Sequence, residues 1–237
     1  MTVELVTYCY PPVLRRAYAG LAALVDSFKY KFDGVTLIRQ RCRGMDAGEL
    51  SYPCRIIETE DYPWEDICGE FGLNAEDSDA ERATATIPYR GKIYYWKYLL
   101  INQFIGLKES TADYMVFLDC DYVLVGDTSE DSWVDRGLRK LQSDPSIFMV
   151  GPYTGEDIEG DFKTQNISQV IMLFERQRLL NLNYNLPIPA GNHTDFKAIY
   201  VHVFEGRLWR HAIWNEEYRG VLAGPPRALH HDWRADN

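Results

Sequence analysis

The segment that most constrains this chain is residues 114–118, YMVFL, a short run that is almost entirely apolar. A run of that length and uniformity predicts a strand buried on both faces, the kind that occupies the centre of a sheet covered by helices. The N-terminal third agrees. Residues 3–8 (VELVTY) are β-rich, and Pro11-Pro12 then opens a helix whose apolar positions Leu14, Ala17, Leu21, Leu24 and Phe28 recur at helical spacing. Asp33-Gly34 turns the chain into a second strand at 35–38. Strand, helix and strand in that order begin a parallel α/β sheet.

A third strand is expected within 52–59, followed by an acidic, irregular stretch with short helices over 60–88. The apolar stripe Trp96, Leu99, Leu100, Phe104 and Leu107 predicts a helix over 93–107. Beyond the central strand, a helix is expected around 138–141 and a strand at 147–150. A Gly/Asp-rich loop follows over 151–163, then a strand at 170–174 and a helix over 176–182. A helix over 194–204 and a short strand at 218–222, ending before Gly224-Pro225-Pro226, complete the pattern. The expected class is α/β, a mixed and mainly parallel sheet flanked by helices in one domain spanning 1–237.

Charge narrows the function. Against 35 acidic residues stand 25 Lys and Arg, for a net charge of -10, so a nucleic-acid partner, which needs a basic footprint, is not expected. A polyanionic ligand would have to be held locally, by a few basic groups, a helix N-terminus or a metal ion. The longest apolar stretch near the N-terminus, 17–25, is too short for a bilayer and lacks a cleavage signature. Five cysteines (Cys9, Cys42, Cys54, Cys68 and Cys120) with no Cys-x-x-Cys spacing read as reduced thiols, and a cytoplasmic location is expected.

Directly after the central strand come Asp119-Cys120-Asp121 and a second apolar run, Tyr122-Val-Leu-Val125. Ligands of open α/β sheets bind outside the carboxyl ends of the strands, which is where these two carboxylates are delivered. Carboxylates that close repel each other, and a bound Mn²⁺ or Mg²⁺ relieves the repulsion while bridging to phosphate oxygens. The competing role is a buried cap or turn, which is costly for a carboxylate at the end of an apolar strand. Asp77-Ser-Asp79 has the same spacing in a polar stretch and reads as solvated surface.

The apolar strand, the Asp-x-Asp and the second apolar run together resemble the GT-A nucleotide-sugar glycosyltransferases, and the glycogenin-like branch among them. Residues 3–9 (VELVTYC) resemble that branch's first nucleotide-binding strand, which implies that Thr7 and Tyr8 lie near the base and ribose. Trp96-Lys97-Tyr98-Leu99 resembles its Lys-bearing helix and makes Lys97 a phosphate contact. Residues 166–174 (NISQVIMLF) resemble the Asn-bearing strand of the donor and acceptor pocket, marking Asn166, although Gln169 stands where the branch has Gly. Leu229-His230-His231 resembles the C-terminal His that completes the metal site, so the implied ligands are Asp119, Asp121 and His230. Two adjacent histidines on extended backbone face opposite ways, which leaves one of the pair as ligand. The resemblance implies a GT-A sheet with 1–121 as the nucleotide-binding part and 122–237 as the acceptor-binding part. It also implies a UDP-sugar donor and a glycan or glycoconjugate hydroxyl as acceptor.

Each of these residues has a plainer reading. Lys97 would serve equally as a solvated helix residue, Tyr8 as a strand-edge residue, and Arg39 and Arg41, placed after the second strand for a nucleotide contact, as solvated cations. Asp195 falls in the first turn of the expected 194–204 helix, where the macrodipole favours an acid. Its functional reading is a catalytic carboxylate, a base in an inverting reaction or a stabiliser of the oxocarbenium-like centre in a retaining one. Leu118-Asp-Cys-Asp also resembles the first motif of haloacid-dehalogenase-like phosphatases, but 118 residues precede Asp119 where that motif normally opens the chain. A non-catalytic nucleotide-sugar binder on the same fold is the other alternative.

Overall fold

Strand alternation builds two apolar layers from one sheet. In the computed structural model, which describes residues 1–9, 14–40, 48–71, 86–89, 92–120, 122–125, 130–143, 147–153, 162–164, 171–181 and 219–230, β1 (Val3–Cys9) sends Val3 and Leu5 to one side and Val6 and Tyr8 to the other. α1 (Leu14–Ser27) covers the first side with Leu14, Ala17, Tyr18, Leu21, Leu24 and Val25. β2 (Gly34–Arg39) and β3 (Arg55–Glu58) follow, then a 3₁₀ turn at Thr59–Asp61 and α2 (Trp64–Phe71). A hairpin of β4 (Thr86–Tyr89) and β5 (Lys92–Tyr95) leads into α3 (Trp96–Glu109) and β6 (Tyr114–Asp119). The remaining elements are β7 (Tyr122–Val125), α4 (Trp133–Ser143), β8 (Ile147–Tyr153), β9 (Phe162–Thr164), β10 (Ile171–Glu175), α5 (Arg176–Leu180) and β11 (Arg219–His230).

The sheet order is β3-β2-β1-β6-β10-β8-β11-β7, with β9 paired to β11. Its first block, β3-β2-β1-β6, is parallel throughout. Antiparallel pairs enter with β10, which runs against both β6 and β8, and with β11, which is parallel to β8 but antiparallel to β7 and β9. The class is thus the mixed α/β sheet expected. β6 lies between β1 and β10, and Met115, Val116, Phe117 and Leu118 are all 0–1% exposed. Burying such side chains contributes about 1.5–3 kcal/mol each.

α1 and α4 cover the layer that holds Leu5, Val116, Leu118, Leu173 and Trp133. α3 covers the opposite layer, where Phe104 and Ile105 meet Val6, Tyr8, Phe117 and Phe174. Gly106 lets α3 lie flat there, because a Cβ would come within 2.8 Å of the Phe117 ring and 3.1 Å of Val6. Among the described residues no helix is long and apolar enough to cross a membrane.

Three expected boundaries are corrected. Ile93 belongs to β5, and the helix starts at Trp96: the β-branched and aromatic residues on both sides of Arg90-Gly91 favour a hairpin over one more helical turn. The expected 151–163 loop is entered from both ends, since β8 runs on to Tyr153 and β9 starts at Phe162. The last strand does not stop before Gly224-Pro225-Pro226 but continues to His230, with its register shifted between Ala223 and Arg227. Proline cannot donate to a ladder, and the Pro pair sits in that shift, between the residues paired to β9 and those paired to β7. The expected 194–204 helix lies outside the described residues.

Candidate functional site

The carboxyl edge of the parallel block is built by register. Ile57, Ile38, Tyr8 and Asp119 are successive Cα partners across β3, β2, β1 and β6. One residue further on, Glu58, Arg39 and Cys9 form the next row. Asp119 therefore closes the central strand beside the end of β1. Just beyond it Cys120 is 5% exposed and packs with Cys9, Leu14, Ala17, Tyr18 and Leu37, which ties the turn after β6 down onto α1.

His230 arrives from the other end of the chain. It is the last residue of β11, and its Cα partner is Tyr122, the first residue of β7 and the neighbour of Asp121 in sequence. The backbone thus brings two of the three expected metal ligands, Asp119 and His230, to the two sides of the Asp-Cys-Asp turn. Asp121, Asn166, Asp195, Arg41 and His231 lie outside the described residues, as do the side chains of Lys97, Asp119 and His230. Among the described residues no three His, Cys, Asp or Glu side chains are grouped to hold a metal ion.

Lys97 is the second residue of α3. That helix runs into the start of β6, so its N-terminal turn lies toward the carboxyl edge. Asn102 fixes the arrangement: the hydroxyl of Thr59, the residue after β3, donates to Asn102 Oδ1 at 2.7 Å, with the Arg39 carbonyl oxygen 3.2 Å from the same hydroxyl. Lys97 stands five residues nearer the helix start, roughly 7.5 Å further along the axis.

The remaining candidates are held more tightly than a binding role alone requires. Arg39 is 2.9 Å from the Glu58 carboxylate, both side chains being 23% exposed. Its guanidinium also donates to the Tyr18 hydroxyl and lies over the Tyr18 ring. Burial raises the Tyr18 pKa, with Arg39 pulling the other way. Thr7 is 0% exposed, and its hydroxyl has no hydrogen-bond partner. Tyr8 is 4% exposed, with its ring centroid 5.8 Å from that of Phe117. The end of β1 reaches the site, but the side chains of Thr7 and Tyr8 belong to the two core layers.

Residue-type reasoning passed over three polar groups at this edge. Thr59, Asn102 and Gln103 are 1%, 1% and 2% exposed. The signal was available, because Asn102-Gln103 interrupts an otherwise apolar helix, Leu99-Leu-Ile-Asn-Gln-Phe-Ile-Gly-Leu107. At the other end of β6 a groove of about 590 Å³ is lined by Met1, Asp113, Gln142, Glu175 and Arg176 among others, away from these residues.

No protein-family model matches the chain, and no curated protein matches it. Solved structures are similar in fold. Glucosyl-3-phosphoglycerate synthase from Mycobacterium tuberculosis, in complex with Mn²⁺, UDP and phosphoglyceric acid, aligns at 14% identity and a TM-score of 0.49, covering 99% of this chain and 72% of that one. The galactosyltransferase LgtC with donor and acceptor sugar analogues aligns at 10% identity and 0.41, covering 92% and 72%. A197 from STIV aligns at 12% and 0.42, covering 97% and 85%. The synthase and LgtC are GT-A glycosyltransferases, and the glycogenin-like branch is not singled out among the similar structures.

Proposed function

We propose that the protein is a metal-dependent glycosyltransferase that moves a sugar from a nucleotide-diphosphate donor, a UDP-sugar by preference, to a hydroxyl of a glycan or glycoconjugate. The observation that carries this reading is the convergence at one sheet edge: β6 ends in Asp119 beside β1, α3 begins nearby with Lys97, and β11 lays His230 against the residue that follows Asp121. Two carboxylates and an imidazole suit Mn²⁺ or Mg²⁺. Asp119, Asp121 and His230 would hold the ion, which when bound supplies Lewis-acid stabilisation of the departing diphosphate.

The chain's own groups do the rest. The Lys97 ammonium at the start of α3 adds positive charge for the phosphates, reinforced by the positive end of the helix. With the side chains of Thr7 and Tyr8 in the core, the end of β1 serves the base and ribose through its backbone groups. Arg39, paired with Glu58, frames that edge. Asn166 lines the donor pocket, and Asp195 stands at the acceptor hydroxyl or the reacting carbon. The 1–121 part binds the nucleotide and the 122–237 part the acceptor, in a cytoplasmic enzyme.

The test is a thermal-shift panel of UDP-, GDP-, CMP- and dTDP-sugars with and without Mn²⁺, followed by calorimetry on Asp121→Ala. Stabilisation grows with ligand concentration over its dissociation constant, so a UDP-sugar with Mn²⁺ is expected to raise Tm in the wild type and not in the variant. Equal binding by both proteins without metal would overturn the proposal.

A further inference from the structure

Gln103 sits inside α3 between Asn102 at 1% exposure and Phe104 at 1%, and is itself only 2% exposed. Its Oε1 nonetheless has no hydrogen-bond partner. Buried side-chain amides are satisfied in the large majority of cases, and one that is not needs a reason.

The seating of α3 gives the direction in which that amide lies. Gly106, one turn later, has Val6 and Phe117 directly against it. Gln103 is three residues nearer the helix start, on the same face. Helical side chains lean toward the N-terminus of their own helix, which here is the carboxyl edge of the sheet. The row of the sheet that follows Val6 and Phe117 toward that edge is Tyr8 and Asp119. Strand alternation places position 119 on the face of β6 that carries Met115 and Phe117, the face that α3 covers.

We infer that Gln103 is a positioning residue for Asp119, its amide donating an N–H to the carboxylate that holds the divalent cation. The inference rests on the proposed function and deepens it by naming the group behind one metal ligand. Either end of the amide can face the carboxylate after rotation of the terminal torsion, because its O and N occupy nearly identical space. Being neutral, it orients a carboxylate without competing for the cation, the task of the outer partners of metal ligands, whose loss typically costs 10–100-fold in metal affinity.

The experiment compares wild type with Gln103→Met, a linear apolar side chain of similar size. Three readings are taken on the full chain: Tm, the affinity for Mn²⁺ alone, and the affinity for UDP with saturating Mn²⁺. The expected result is an unchanged or higher Tm, since a buried polar atom without a partner has been removed, together with Mn²⁺ binding weakened 10–100-fold. An unchanged Mn²⁺ affinity overturns the inference while leaving the glycosyltransferase reading intact. Loss confined to UDP, with Mn²⁺ alone bound normally, also overturns it and makes Gln103 a direct nucleotide contact. If wild type binds neither Mn²⁺ nor UDP, the functional reading falls and the inference with it. A variant that melts early and binds in proportion to its folded fraction shows a purely structural glutamine.

Discussion

The two ends of the parallel strands differ in how completely their buried polar groups are matched. At the amino edge the Glu4 carboxylate accepts from the Thr36 and Ser110 hydroxyls, both at 2.5 Å, and Asp33 accepts the Val3 N–H at 2.8 Å. Asp113 accepts the Thr2 N–H at 2.7 Å, and Arg176 Nε donates to the Leu107 carbonyl at 2.8 Å. At the carboxyl edge, Thr7 and Gln103 are buried with Oγ1 and Oε1 unmatched. The Trp133 indole N–H, buried among apolar side chains of α4's layer, is an unmatched donor away from both sites. Internal pairing closes the amino edge, whereas the carboxyl edge, with Arg39 paired to Glu58 and Thr59 to Asn102, also keeps the two buried oxygens of Thr7 and Gln103 unmatched.

Breaking the ligand edge directly has the largest expected effect. Asp121→Ala should lower sugar transfer and Mn²⁺-dependent UDP affinity by more than about 100-fold, beyond what outer positions cost, with little change in Tm. Phe117→Ala strikes the layer common to both edges. It should cost about 3–5 kcal/mol by urea unfolding, with loss of binding following loss of fold. Glu4→Ala sharpens the contrast, because it strands two part-buried hydroxyls at the closed end. A loss of about 1–3 kcal/mol is expected, with the UDP affinity of the folded protein unchanged, the reverse of the pattern expected for Gln103→Met.

Acid titration provides a smaller difference. The Thr2 backbone N–H, outweighing desolvation, holds the Asp113 carboxyl below its ordinary value of 3.8. A carboxylate with a depressed folded-state pKa contributes stability that is present above its unfolded value and is lost as pH falls through the folded one. Asp113→Asn should therefore lower the stability slightly at neutral pH and flatten the profile below about pH 4, where variant and wild type converge, read by acid unfolding. The smallest effect is spectroscopic. Burial and the bond to Glu109 push Tyr62 up to about 12, so its phenolate absorbance should lag the other tyrosines, and Arg55→Ala should delay it further.

How much was legible depended on how local the cause was. Residues 114–118 read correctly as a central strand because double burial demands an unbroken apolar run, and α1 because its stripe spans several turns. The start of α3 was misplaced because Ile93 fits both a helical stripe and a hairpin strand, and cross-strand pairing with Ile87's neighbour Pro88 decided it. The length of β11 was hidden by Gly224-Pro225-Pro226, which reads as a stop unless a second partner strand is waiting. Within the site, the Asp-Cys-Asp position was evident from the strand before it, but nothing in residue type showed that Arg39 is engaged by Glu58 or that Tyr8 turns into the core.

By itself the sequence determined the central strand and the pair of carboxylates at its end, since both follow from composition over a dozen consecutive residues. Tertiary structure alone decided that β11 would bring His230 opposite Tyr122, because strand register is a long-range agreement between two faces and two turns. It alone decided, too, that Gln103 would be buried with its Oε1 unmatched. Whether a polar atom is satisfied depends on what packs against it, and that is a property of the assembled core rather than of the residue.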